Sequence, residues 1–414
     1  MNITSDALLT DLYELTMAQA YLAQGMTDIA VFEFFVRKLP PQRNFFMAAG
    51  LEQVLNYLEE FQFSDADIAW LDQTGGFRPA SLNALRAMRF TGEVHAMPEG
   101  SLFFPHEPIL RITAPLPQAQ LVETRVMNLL NFQTMVASKA CRSVLVAGNK
   151  PLIDFGLRRA HGAEAGLLAA RAAYLAGLAG TSNVSAGARF GIPIYGTMAH
   201  SFVQAHLDEA EAFTHLAEAQ PRDVVLLIDT YDTEAAAEKV VSLAGRLNAR
   251  GISIHGVRLD SGDLADHARK VRHILDRGGL TATQILASGN LDEERIQTLV
   301  TGQAPIDSFA IGTAMTTSAD APYLDCAYKL QEYAGRPCRK RSEGKATWPG
   351  RKQVYRRIGT DGRLNGDIIT VEGDCREGQP LLGHVMQGGQ RVASPPSLED
   401  VRRYARLSLT QLPA

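Results

Sequence analysis

The sequence has 414 residues, 46% of them hydrophobic, enough for a large core and more than one domain. A formal net charge of −4 excludes a nucleic-acid-coating surface. Four cysteines in so long a chain do not make a disulfide framework, and Cys326, Cys338, Cys375 and His384 lack the short paired spacing of a zinc knuckle.

In chain order, the opening "MNITSDALLTDLYELT" has neither a basic start nor an apolar core before a cleavage site. No secretory signal is expected, and a soluble cytoplasmic protein is. Up to about Asn149, "AVFEFFVRKLP" and "GEVHAMPEGSLFFPHEPILRITAP" alternate as antiparallel strands do, with helices such as "AAGLEQVLNYLEEF" between them. "PQAQLVETRVMNLLNFQTMVASKACRSVLVAG" reads as one long helix leading into the next region. "GLLAARAAYLAGLAG" is short, Ala-rich and interrupted by Arg171, so it reads as a buried helix and not a membrane span.

The middle of the chain repeats one unit: an apolar run, a polar tip, then an amphipathic helix. "DVVLLIDTYD", "ISIHGVRLDSGD", "QILASGN" and "DSFAIGT" are such runs, and their tips Asp229, Asp260, Ser288 and Gly312 recur every 24 to 31 residues. Near-continuous apolar runs at that spacing predict parallel strands joined by right-handed helical crossovers. "PLIDFGLRRAHG", "GTSNV" and "IPIYGT" look like three further strand ends. About seven units predict an irregular or incomplete (β/α) barrel with its site at the C-terminal face. The expected organisation is an α+β domain over 1–149, the barrel over 150–322, and a β-rich segment over 323–414 that packs on the first domain. The basic run Arg339 to Arg357 is read as a solvated hairpin, or as a cover over the far end of the site.

The predicted strand ends collect cations (Arg158, Arg159, Arg258), carboxylates (Asp229, Asp232, Asp260, Asp263) and small polar groups beside glycines (Thr181, Ser182, Asn183, Thr197, Ser261, Ser288, Thr313). Each alone has an ordinary structural explanation; their accumulation on one face is the informative part. The last two strands end at Ser288-Gly289 and Gly312-Thr313, where barrels commonly hold a phosphate on backbone amides. Carboxylates in Asp-Ser-Gly-Asp spacing suit Mg²⁺ with its preference for oxygen ligands. Arginines suit planar carboxylates or phosphates. In "IPIYGTMAHSFVQ" a buried strand Ile192–Tyr195 is expected to turn at Gly196-Thr197 into a helix from Met198, carrying His200 either at an anion site or as an ordinary helix residue.

With "LLTDLYELTMAQAYL", "FEFFVRKLP", "EGSLFFPHEPIL", "FGLRRAHG", "GTSNV", "GTMAHSFV", "LLIDTYDT", "VRLDSGDL", "ASGNLDE", "AIGTAM" and "KRSEGKATWPGRKQVYRR" in this order, the sequence resembles the nicotinate phosphoribosyltransferase family over nearly its whole length. The resemblance implies joining of nicotinate to 5-phosphoribosyl 1-diphosphate, in NAD salvage, with release of diphosphate and with Mg²⁺. It also implies ATP as cosubstrate, which would place the enzyme in the ligase class. It implies a homodimer with shared sites and no membrane or nucleic-acid partner. By the same resemblance, Arg258 grips the nicotinate carboxylate with Thr197 and Ser182 nearby, and Tyr13 stacks on the pyridine ring from the neighbouring subunit. Ser288, Gly289, Gly312 and Thr313 hold the 5-phosphate, and Arg158 or Arg159 meets the diphosphate or ribose. Asp229, Asp260 and Asp263 organise Mg²⁺ and the ribose hydroxyls, with Asp260 also counted among the catalytic groups. His200 takes a phosphoryl group from ATP. The nearest alternative is a nicotinamide phosphoribosyltransferase, which carries an aspartate where this chain has Ser182; a quinolinate enzyme fits less well. From another class, a phosphate-binding barrel lyase or isomerase is the remaining alternative, although no lysine stands at the strand tips for Schiff-base chemistry.

Overall fold

The computed structural model describes residues 6–413. They fall into two compact units: residues 139–320, and the chain on either side of them. The division lies between Ser138 and Lys139, inside the helix Glu123–Ala147, and not after Asn149 as expected from the change in composition. The reason is electrostatic. Lys139 and Arg142, in the second half of that helix, are tied to Glu293 and Asp320. The single long helix expected before this point is two, Leu116–Leu121 and Glu123–Ala147, parted at Val122.

Residues 139–320 are built on a six-stranded parallel sheet. Its order is Gly180–Thr181, Leu152–Asp154, Ser308–Ile311, Gln284–Ala287, Ile254–Leu259, Val224–Leu227. Ile153, Leu286 and Ala310 form an apolar cluster on it, with Phe155 packed against them. Helices follow the strands, and four begin at a side-chain cap of the expected type: Asn183, Asp232, Asp263 and Asp292 each accept from backbone N–H groups of the first turn. The sheet curls as a half-barrel and does not close. The expected strand Ile192–Tyr195 is reduced to one bridge, Ile194 to Thr181. Pro193 has no N–H to give to a ladder, and while Ile192 is buried, Ile194 and Tyr195 stay exposed, so the apolar letters signalled burial only at the start of the segment.

The other unit joins both ends of the chain in one seven-stranded sheet, in which Ile29–Val36 lies between Cys326–Tyr333 and Leu110–Pro115, antiparallel to both. Three further strands, Leu364–Val371, Lys352–Ile358 and Gln379–Pro380, form a smaller antiparallel sheet. This corrects the solvated-hairpin reading for the second half of the basic run, while residues 339–346 are exposed as that reading has them. Lys352, Val354 and Arg356 are the inward-facing residues of one strand, at the period of two that a sheet imposes. Lys352 Nζ lies 2.8 Å from Glu33 Oε2 and donates to the Gln331 side chain and the Trp348 and Gly350 carbonyls. Arg356 makes a two-point pair with Asp367 at 3.1 and 2.6 Å and donates to the Leu102 carbonyl.

Candidate active site

The polar tips of the parallel strands converge. Arg258, near the end of Ile254–Leu259, donates from Nη1 to Thr197 Oγ1, and its guanidinium carbon sits 5.9 Å from the centroid of the Phe155 ring. Its Nε is buried with no partner. Burial pulls the guanidinium below its usual range, against the field of Asp260 and Asp229, while the like charge of Arg158 pushes the same way as burial. Arg158 is thus an electrostatic neighbour of Arg258, on the exposed short turn Leu157–Arg159. The cation therefore stands over an aromatic face with unspent donor capacity, which suits a planar anion.

His200 opens the short helix His200–Gln204 and does not sit a turn inside it, because the chain from Gly196 to Ala199 is irregular. Its Nδ1 lies 3.1 Å from Thr230 Oγ1, and its Nε2 lies 4.0 Å from Asp260 Oδ2. Asp260 accepts from the Ser288 hydroxyl at 2.5 Å through its other oxygen. Its backbone N–H donates to Asp229 Oδ2, which also accepts from Ser261 Oγ at 2.6 Å. Asp229 Oδ1 is buried with no partner. These contacts form one chain from His200 through Asp260 to Ser288 and Asp229.

Two glycines let the loops come this close. Gly289 has φ +93°, and a Cβ there would lie 1.9 Å from the Asp260 carbonyl oxygen. At Gly156 a Cβ would lie 1.7 Å from Thr316 Oγ1. Gly312 and Thr313 start the four-residue helix Thr313–Thr316 at the end of the neighbouring strand. Ser182 follows Thr181 at the edge strand, its N–H bound to the Asp154 carbonyl. Beneath the tips, a cavity of about 540 Å³ runs into the curl of the sheet, with Phe155 and Thr197 in its wall beside Ile153, Ile194 and Leu286.

Not every expected residue joins the cluster. Asp263 caps the helix Leu264–Arg277, accepting from the Ala265 and Asp266 N–H groups at 3.1 Å. Tyr13 belongs to the other unit, on the helix Leu12–Ala23, where its ring is 45% exposed and its hydroxyl donates to Glu14. Among the described residues no three His, Cys, Asp or Glu side chains are arranged to hold a metal ion. The sequence reading missed Phe155, Thr230 and Asp154. Asp154 is buried beside the site and accepts from Thr181 Oγ1 and the Gly156 N–H, both at 2.7 Å; burial pushes its carboxyl up. All three sit at or next to strand-end motifs, the signal that was available.

An open parallel half-barrel that gathers an aromatic-backed guanidinium, linked carboxylates and hydroxyls at its strand ends belongs to the α/β enzymes that bind small anionic substrates there. The sequence matches the nicotinate phosphoribosyltransferase N-terminal domain over residues 8–131 and the nicotinate phosphoribosyltransferase family over residues 151–336. It is 48% identical to nicotinate phosphoribosyltransferase pncB2 of Mycobacterium tuberculosis, across 98% of this chain and 88% of that protein. It is 42% identical to the nicotinate phosphoribosyltransferase of Bacillus subtilis, across 88% and 76%. The crystal structure of human nicotinic acid phosphoribosyltransferase superposes with a TM-score of 0.87 at 31% identity, covering 98% of this chain and 94% of that one. The chain belongs to the nicotinate phosphoribosyltransferase family.

Proposed function

We propose that this chain joins nicotinate to 5-phosphoribosyl 1-diphosphate, giving nicotinate mononucleotide and diphosphate in NAD salvage. The observation that carries the reading, beside family membership, is Arg258 held by Thr197 over the Phe155 ring with its Nε unpartnered. In this reading Arg258 takes the nicotinate carboxylate. The pyridine nitrogen attacks C1 of the ribose, the C1–O bond breaks, and the electron pair leaves with diphosphate. Positive charge develops on the ribose ring, and the strand-end carboxylates oppose it. Arg158 faces the leaving diphosphate, and Ser288-Gly289 and Gly312-Thr313 take the 5-phosphate. Ser182, neutral where a carboxylate would repel nicotinate, favours the acid over the amide.

Mg²⁺ fits this site at Asp229 and Asp260, and the orphaned Asp229 Oδ1 supports that placement. Asp263 is engaged as a helix cap and is left out of it. Bound there, the ion supplies charge neutralisation for diphosphate. ATP coupling runs through His200 in the same reading. With Nδ1 engaged by Thr230, the free Nε2 attacks the γ-phosphorus of ATP, the bond to the β-γ bridging oxygen breaks, and ADP departs. Water later hydrolyses the N–P bond. A homodimer with shared sites belongs to the same reading and rests on family membership. Tyr13 of one protomer then stacks on the pyridine ring held by its partner.

The direct test is diphosphate release from 5-phosphoribosyl 1-diphosphate and Mg²⁺. Release that requires nicotinate is expected; release unaffected by nicotinate contradicts the reading. The ATP step is tested by His200→Ala, which should lose ATP hydrolysis and acid-labile labelling from [γ-³²P]ATP yet keep ATP-independent synthesis. Wild-type labelling of that variant would remove His200 from the scheme.

A further inference from the structure

The helix that carries Tyr13 also carries Glu14, a fully buried carboxylate for which the proposed chemistry has no use. Glu14 is the hub of a set of donors. Its Oε1 accepts from the Thr124 N–H at 2.9 Å, the Thr124 hydroxyl at 2.8 Å and the Tyr13 hydroxyl at 3.2 Å. The Thr10 hydroxyl donates to Oε2. Thr124 lies in the first turn of the helix Glu123–Ala147, so one carboxylate pins the start of the Tyr13 helix to the start of another. Tyr13 itself is nearly half exposed, beside an aromatic recess of about 520 Å³ formed with Tyr21, Phe32, Tyr328 and Tyr333. An exposed ring has several open directions, and the bond to Glu14 selects one.

We infer that Glu14 is a positioning residue for nicotinate binding, holding the Tyr13 ring in its stacking direction through the tyrosine hydroxyl. The inference rests on the reading of Tyr13 as the pyridine-stacking residue. The Thr124 N–H can only donate, and the Thr10 and Tyr13 hydroxyls donate in the same direction, which suits the ionised carboxylate; the Thr124 hydroxyl is shared with Asp11 Oδ2, also at 2.8 Å. Burial nevertheless pushes Glu14 up to about 7, with Glu123 adding to the rise. The ionisable groups that interact with it are Tyr13 on its own helix, Glu123 on the helix Glu123–Ala147, Tyr57 on the helix Leu51–Glu60, and Tyr328 on the strand Cys326–Tyr333, with Asp11 acting on Tyr13 and Arg125 on Tyr57 beside it. Glu14 therefore changes charge near neutral pH, and the hold on Tyr13 weakens as pH falls through about 7.

Stability moves the other way. A carboxyl raised from 4.5 to about 7 on folding contributes stability below pH 4.5 that is lost as pH rises through 7. Glu14→Gln, a fixed neutral group, should thus lose this pH dependence of melting temperature and bind nicotinate more weakly at pH 8. Scaffolding alone would change the melting temperature and leave the nicotinate KM of the folded variant at the wild-type value.

The experiment measures KM for nicotinate and for 5-phosphoribosyl 1-diphosphate, with melting temperature, between pH 6 and 8. It uses full-length wild type, Glu14→Gln, Tyr13→Phe and Tyr13→Ala. Losing the hydroxyl in Tyr13→Phe should raise the nicotinate KM about 3- to 10-fold at pH 8, the worth of one hydrogen bond. The KM for 5-phosphoribosyl 1-diphosphate should stay within about twofold. Wild type should show a nicotinate KM that climbs toward pH 6, and Glu14→Gln should be flat at the higher value. If Tyr13→Ala raises the nicotinate KM but Tyr13→Phe and Glu14→Gln match wild type throughout, the positioning role is overturned while the stacking role stands. Should Tyr13→Ala itself leave that KM unchanged, the stacking reading fails and takes this one with it. Tyr13→Phe changes an exposed residue, so a folding failure at Glu14 does not silence the test.

Discussion

Both units of this protein bury ionised side chains, and two places in them, the ion pairs of the smaller sheet and the ends of the parallel strands, show a contrast. In the unit built from the chain ends, Arg356 and Asp367 make a two-point pair and Lys352 is surrounded by four acceptors. Such groups find their partners within the fold. At the strand ends of residues 139–320, Arg258 Nε and Asp229 Oδ1 are buried without partners, and His200 Nε2 stands 4.0 Å from the nearest carboxylate oxygen. A buried polar atom left unpaired costs about 1–3 kcal/mol, so a cluster of them marks where substrate atoms complete the bonding. An orphaned atom also occurs elsewhere, at Arg111 Nε, so it is the gathering of such atoms at the strand ends that marks the site.

The contrast can be broken from the saturated side. Arg356→Met should destabilise the protein by about 3–5 kcal/mol, because it strands Asp367 in a buried site. Urea denaturation reads this directly, and Arg356→Met/Asp367→Leu should recover much of the loss. A single variant as stable as wild type would show the pair to be dispensable.

A smaller effect sharpens the other side. Ser182→Asp adds a carboxylate at the strand end without removing a contact given by the Ser182 side chain. It should lower kcat/KM for nicotinate and raise it for nicotinamide, each by about 10-fold, with little change in melting temperature. An unchanged preference would place Ser182 away from the pyridine substituent.

Much of the active face was legible because the βα repeat is local. Apolar runs ending at Asp229, Asp260, Ser288 and Gly312 locate their own strand ends, and Arg258 lies two residues before one of them. Thr230 and Phe155 escaped notice because, just past a strand, the turn of the backbone decides which side chain faces inward. Alternation does not report that turn. The second half of the run Arg339 to Arg357 misled for another reason. Charge composition averages over a strand, while Lys352 and Arg356 share its buried side with Val354 and find their partners at Glu33 and Asp367. Glu33 is more than 300 residues away in sequence, beyond the reach of any local pattern.

The unsaturated strand-end cluster is tested most directly by Arg258→Gln assayed with both nicotinate and nicotinamide. The change removes the charge and keeps a polar side chain over Phe155. The expected loss in kcat/KM for nicotinate is about 10²- to 10³-fold, with nicotinamide changed by less than about 10-fold and the melting temperature near wild type. An equal loss for both substrates, or none for either, would contradict the assignment of Arg258 to the nicotinate carboxylate.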